Sequence, residues 1–164
     1  GKVSLPRGSS DAALMSYHVD RSKMFVMERI EGIVKLDKQR IADAIEGTRF
    51  PCTLPVGTES SDDDAAILRA ADLIGQLGDP NYIRKANALY YEFEETGMNR
   101  QLGYSSPADI VNLYPQFYWN SVAPHVQTAI RYLNVTSPGR QWIANLYSNV
   151  FRAEREISLS GPQT

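Results

Sequence analysis

The sequence contains a single cysteine, Cys52, among its 164 residues. One cysteine cannot form an intramolecular disulfide, and neither a CxxC pair nor a Cys/His spacing typical of zinc sites occurs. A disulfide scaffold and a cysteine-based metal centre are therefore excluded within this chain. The scarcity of cysteine suits a reducing compartment, and we expect a cytoplasmic protein.

Histidine is almost as scarce, because only His18 and His125 occur. A catalytic or metal centre built from several histidines is therefore excluded within this chain alone. The patterns GxGxxG, GxxxxGK[ST], HExxH and GxSxG are also absent. The sequence thus gives no indication of a dinucleotide-binding loop, a phosphate-binding loop, a zinc protease helix or a serine hydrolase elbow.

The chain also lacks a concentration of positive charge. Its 17 basic and 19 acidic residues give a formal net charge of -2, so we expect no nucleic-acid partner. No apolar run approaches the roughly 20 residues that span a bilayer, and no signal peptide is recognisable. We therefore predict a soluble domain without a membrane partner.

The sequence has the composition of an ordinary globular protein, and its apolar residues are spaced as in helices. Hydrophobic residues make up 43% and charged residues 22%, which is typical of a packed fold. The length suits one domain over residues 1–164. Apolar residues recur at helical intervals and no segment reads as a convincing strand. We predict an all-α fold, a bundle of about six to eight helices.

Local signals predict where the helices begin and end. One helix or a broken pair covers 12–34, and a short helix begins after Asp37 as N-cap and ends at Gly47. Residues 48–60 read as the longest loop. Ser61 and the three aspartates after it predict the capped start of a helix that runs to about Leu77.

Further boundaries follow from glycine and proline. A break at 78–80 separates that helix from one ending at Gly97, and a tight connection would make the two an antiparallel pair. The remaining predicted boundaries are helix starts at 106–107 and 136–138, division of 109–133 by Pro115 and Pro124, and a polar tail from Ser158.

Asp72 is the acidic residue of greatest interest. A helical projection places it beside Leu68, at the edge of an apolar arc that includes Ile67 and Ile74. Its carboxylate could point along a groove between helices, where it would need a cation, a metal or hydrogen-bond donors. The alternative is a solvated carboxylate paired with Arg69.

Other polar and aromatic residues each have two interpretations. His18 is either a metal ligand or an exposed helical residue, whereas His125 is expected to be structural. The aromatic segment 114–119 could stack a nucleobase, but helical spacing favours core packing. The acidic group at 92–95 is expected to form a solvated helix end.

Four segments resemble one known family, the HD-domain metal-dependent phosphohydrolases. Residues 41–51 and 67–76 look like the later part of such a domain, and residues 91–95 and 114–119 look like the helical extension of bacterial members. The resemblance covers residues 16–156, and its most informative part is Ala71-Asp72-Leu73.

The resemblance implies an HD-like helical domain that binds a divalent metal ion and hydrolyses a small phosphoester or a nucleotide. Asp72 matches the final aspartate ligand of the family, and His18 lies where some members have an additional histidine ligand. Thr48 is expected near this site. The metal would polarise a phosphoryl oxygen and lower the pKa of bound water.

The sequence departs from the family because neither histidine is followed by aspartate. Either the missing ligands belong to upstream helices, which Gly1 without a preceding methionine favours, or the chain is a degenerate relative. The alternative function is a non-catalytic regulatory or interaction domain, with contacts through Phe117 and Trp119. A homo-oligomer is one state that the sequence allows.

Overall fold

The computed structural model describes residues 4–5, 7–30, 32, 35–50 and 63–160. Within these ranges every regular element is a helix and no strand occurs, which confirms the predicted all-α bundle. The elements are a 3-10 helix Asp11–Tyr17, α1 His18–Arg29, α2 Lys38–Glu46, α3 Asp64–Leu77, α4 Tyr82–Thr96, α5 Met98–Leu102, α6 Pro107–Phe117, a π-helix Tyr118–Val122, α7 Ala123–Leu133 and α8 Ser137–Ser160.

Side-chain caps fix several helix starts. The Asp37 carboxylate accepts from the backbone N–H of Arg40 at 3.0 Å, as predicted. Helix α3 is capped by Asp63, which accepts from the N–H of Ala65 at 3.2 Å, whereas the predicted cap Ser61 lies outside the described residues. The predicted start of α6 at 106–107 is confirmed, and the Asp109 carboxylate accepts from the backbone N–H of the N-cap residue Ser106 at 2.8 Å.

The main core lies where α3, α6, the π-helix, α7 and α8 meet. Its members are apolar or aromatic side chains almost completely removed from water, which is the main source of stability in a helical bundle. They are Ala70, Ile74, Leu77, Tyr114, Tyr118, Val122, Ala123, Val126, Leu146, Val150 and Ala153.

The N-terminal helices form a smaller unit beside this core. Helix α2 packs against α1 on one side and α3 on the other. The backbone of Gly47, directly after α2, lies so close to α3 that a Cβ at this position would come within 2.7 Å of the Ala65 Cβ. Glycine is therefore required here for close packing.

The predicted antiparallel pairing of α3 and α4 is wrong. Helix α3 packs against α2, α7 and α8, whereas α4 packs mainly against α6 and the 3-10 helix. The cause is Asn149 of α8, whose buried Nδ2 donates to the carbonyls of Leu77 and Asp79, each at 2.8 Å. These hydrogen bonds hold α8 against the turn that follows α3. Helix α8 thus occupies this side of α3, and α4 packs elsewhere.

Helices α6 and α7 confirm the predicted division of 109–133. Pro115 lies inside α6 and is followed by the π-helix, and Pro124 occupies the first turn of α7, where its missing N–H is tolerated. A π-turn holds one more residue than an α-turn. The two prolines thus border a wide turn and not a loop.

The first and last helices of the structure test two further predictions. Of the two alternatives for 12–34, one helix or a broken pair, the structure shows the pair, as the 3-10 helix followed directly by α1, which ends at Arg29. The predicted polar tail from Ser158 is wrong, because α8 continues to Ser160. Across the described segments, we find no helix whose length and apolarity would let it cross a membrane.

Replacing Asn149 with alanine should lower the free energy of unfolding by about 2 kcal/mol, because the buried carbonyl of Leu77 and the partly buried carbonyl of Asp79 lose their donor. Urea denaturation followed by circular dichroism measures this change. Asn145→Ala on the same helix is the matched control, since Asn145 accepts from Gln141 near the surface, and it should change stability by less than about 0.5 kcal/mol. Equal effects would show that Asn149 does not hold α8 in place.

Candidate functional site

The candidate metal ligand Asp72 lies on the exposed side of α3. Its Oδ1 accepts a hydrogen bond from Gln76 Nε2 at 3.1 Å, one helical turn later. This donor is a neutral amide, so the carboxylate charge is not balanced by it. The remaining lone pairs of the carboxylate can accept further donors or a cation.

The outward direction of Asp72 follows from the face that α3 buries. That face contains Arg69, Ala70, Ile74 and Leu77, whereas Ile67 is 50% exposed. The predicted apolar arc was therefore rotated relative to the observed one. Asp72 lies well away from the buried stripe and not at its edge.

Arg69 is buried and does not lie at the surface as its charge suggested. It was expected as a surface partner of Asp72, but it is only 4% exposed. Its Nε donates to the carbonyl of Gly47 at 2.6 Å, which joins the end of α2 to α3.

The second candidate ligand, His18, is exposed at the start of α1. Its Nδ1 donates to the carbonyl of Met15, since a carbonyl oxygen can only accept. In the neutral imidazole this arrangement leaves the lone pair on Nε2. Histidine ligands to metals commonly donate their second ring N–H to a carbonyl in this way.

His18 and Asp72 belong to α1 and α3, and α2 packs against both of these helices. No cluster of three or more His, Cys, Asp or Glu side chains that could hold a metal occurs among the residues described. Thr48, predicted near the site, directly follows Gly47, and its hydroxyl donates to the carbonyl of Ile45 at 2.8 Å. It therefore lies beside the Arg69 contact.

The strongest electrostatic feature connects α1 to the end of α2. Arg49 Nη2 donates to Asp20 at 2.7 Å and to Glu46 at 3.0 Å, and Lys23 Nζ donates to Glu46 at 2.9 Å. Hydrogen bonds from Arg49 and then Lys23 lower the pKa of Glu46 from 4.5 to about 2. The same contacts raise the pKa of Arg49.

A groove of about 380 Å³ runs between α1 and α2 beside this network. Its floor and rims combine methionine side chains with charged and amide groups. The lining includes Asp20, Lys23, Met24, Met27, Glu28 and Gln39. Their functional groups are two carboxylates, one amine, two thioethers and one amide, which offer no nucleophile beside a general base.

The aromatic segment supplies the core, as its spacing favoured, with one exception. Tyr114 and Tyr118 are fully buried, and Phe117 is half-buried against Phe50, with ring centroids 6.2 Å apart. Burial raises the pKa of Tyr114, so this phenol stays protonated. Trp119 is 46% exposed, and its indole N–H donates to Glu154 at 3.3 Å.

The remaining candidates have structural contacts. His125 is half-buried on α7. Glu92, Glu94 and Glu95 are exposed, as predicted for a solvated helix end. Glu95 also accepts from the backbone N–H of Ser10 at 2.9 Å, which fastens the segment before the 3-10 helix to α4.

The lowered pKa of Glu46 predicts a stabilisation that is complete above pH 4.5 and is lost as the pH falls from 4.5 to about 2. Glu46→Gln should lower the urea midpoint at pH 7 and flatten its decline over this range. The exposed Glu92→Gln serves as control and should keep the wild-type profile. Added salt should reduce the difference because the network is partly exposed, and identical profiles for both variants would contradict the assignment.

Comparison with known proteins gives one match. No curated protein and no solved structure matches the chain. The sequence model of the family described as Npun_R2479-like matches residues 1–156. Since this match covers most of the 164 residues, the chain belongs to the Npun_R2479-like family.

Proposed function

We propose that this chain is part of a metal-dependent phosphohydrolase in which Asp72 is a ligand to a divalent cation. The substrate class is a small phosphoester or a nucleotide. The observation that supports the proposal best is the state of the Asp72 carboxylate, which lies at the surface and receives its hydrogen bond from a neutral amide. A carboxylate in this state is accessible to a cation without first breaking an ion pair.

The resemblance of residues 67–76 to the end of an HD domain supports the same residue. Gln76 acts as a neighbour that orients the carboxylate, a role that partners of metal ligands commonly have. His18 is the second proposed ligand, with its Nε2 directed to bind because Nδ1 is engaged by Met15. The proposal rests on Asp72, and His18 adds to it.

A firm metal site needs three or more protein ligands. The described residues hold no such group, so the proposal requires ligands from outside them. A bound divalent ion would polarise a phosphoryl oxygen and supply hydroxide from bound water. The part of this chain would be to present Asp72 on a helix that Arg69 fixes to α2.

Titration with Mn²⁺, followed by paramagnetic broadening in amide NMR spectra of the full chain, tests the proposal. Broadening should centre on the amides around Asp72, and Asp72→Ala should remove it. Asp43→Ala is a matched control, because Asp43 is also an exposed helical aspartate bonded to a glutamine, Gln39, at 2.8 Å. Broadening shared equally by both aspartates, or unaffected by Asp72→Ala, would remove the metal assignment.

The alternative is a non-catalytic interaction domain, and the exposure of Trp119 favours it. An indole that is 46% exposed and bonded to Glu154 offers a large apolar surface with a fixed orientation. The two proposals differ in their response to the titration. Absence of selective Mn²⁺ binding leaves the interaction domain as the better reading.

A further inference from the structure

Part of helix α1 is exposed to water and lacks a packing partner among the described helices. Val19 is its fully buried residue, and its packing partners are α2 and the 3-10 helix before it. Met24, at the rim of the groove between α1 and α2, is 50% exposed, and the next residue, Phe25, is 60% exposed. Adjacent large apolar side chains left in water are typical of a surface that another protein covers.

The charged side chains of α1 fall into a paired and an unpaired group. Asp20 and Lys23 are paired with Arg49 and Glu46 of the α2 end. Arg21 and Glu28 are exposed, and neither has an ion pair with any described residue. The helical spacing of these unpaired charges places them on the same side of α1 as Met24 and Phe25.

The order of these residues along the helix is self-complementary. Arg21 and Glu28 are seven positions apart, so they lie on one stripe of the helix, within about 20° of each other. The midpoint between them falls between Met24 and Phe25. A second, antiparallel α1 related by a two-fold axis through this midpoint would place Arg21 of each copy opposite Glu28 of the other.

The apolar pair is complementary under the same operation. Met24 of one copy would lie opposite Phe25 of the other, and thioether groups make favourable contacts with aromatic rings. Arg29 lies over the Phe25 ring at 5.4 Å and leaves most of the ring uncovered. An apolar centre with an ion pair at each end matches the usual arrangement of an interface, with its polar rim.

We propose that two copies of this chain associate through an antiparallel pairing of α1 about an axis between Met24 and Phe25. One helix pair gives a small contact, so the dimer is of the weak, concentration-dependent kind. The proposal goes beyond the metal-dependent function and does not rest on Asp72, which belongs to α3.

Sedimentation velocity of the full chain over a range of concentrations tests the pairing. The wild type should show a reversible monomer–dimer equilibrium. Arg21→Glu and Glu28→Arg should each raise the dissociation constant at least about tenfold, because each creates two like-charge contacts across the axis. The double variant Arg21→Glu/Glu28→Arg restores opposite charges and should return the constant to within about threefold of wild type.

Arg152→Glu on α8 is the matched control, because it makes the same charge reversal at another exposed helical arginine. It should leave the dissociation constant unchanged. Circular dichroism checks that each variant keeps its helical content, and Glu28→Arg provides an independent variant if Arg21→Glu unfolds. A wild type that stays monomeric, a dimer that resists both single variants, or a folded double variant that stays monomeric would each overturn the proposal.

Discussion

The burial of the Arg69 guanidinium determines how the N-terminal helices attach to the bundle. A charge removed from water is costly unless hydrogen bonds compensate for it. The carbonyl of Gly47 provides such an acceptor at 2.6 Å, at a helix end, where carbonyls lack partners within the helix and carry partial negative charge. Helix α2 must therefore end against α3, and the missing side chain at Gly47 lets the two backbones approach closely enough.

Each side of helix α3 has a different environment. Arg69 faces α2, while Ala70, Ile74 and Leu77 contribute to the main core. Asp72, three positions after Arg69, projects to the surface. A helix that is fixed on two sides holds the backbone of a ligand residue in place, which favours a precise binding site. The proposed metal ligand therefore stands on one of the more firmly held helices.

Signals confined to one helical turn were readable from the sequence. Asp37, Ser106 and Pro107 mark helix starts because their effects act on neighbouring backbone groups. The buried face of α3 could not be predicted, because apolar residues lie on most sides of that helix and the charge of Arg69 favoured a surface position.

Long-range contacts were equally hidden. Asn149 donates to Leu77 and Asp79, which precede it in the chain by 72 and 70 positions. Arg49 donates to Asp20, which precedes it by 29 positions. For the candidate site, the sequence indicated the residue types at 18 and 72, but not that α2 would pack against the helices that carry them.

The π-helix at 118–122 has a consequence for the length of the chain. A wide turn of this kind holds an additional residue while the helices on either side keep their faces toward the core. Loss of an outward residue such as Asn120 would narrow the turn to ordinary helix without rotating Val126 away from its neighbours. The junction is thus a position where the chain can lose one residue and still pack the same interior.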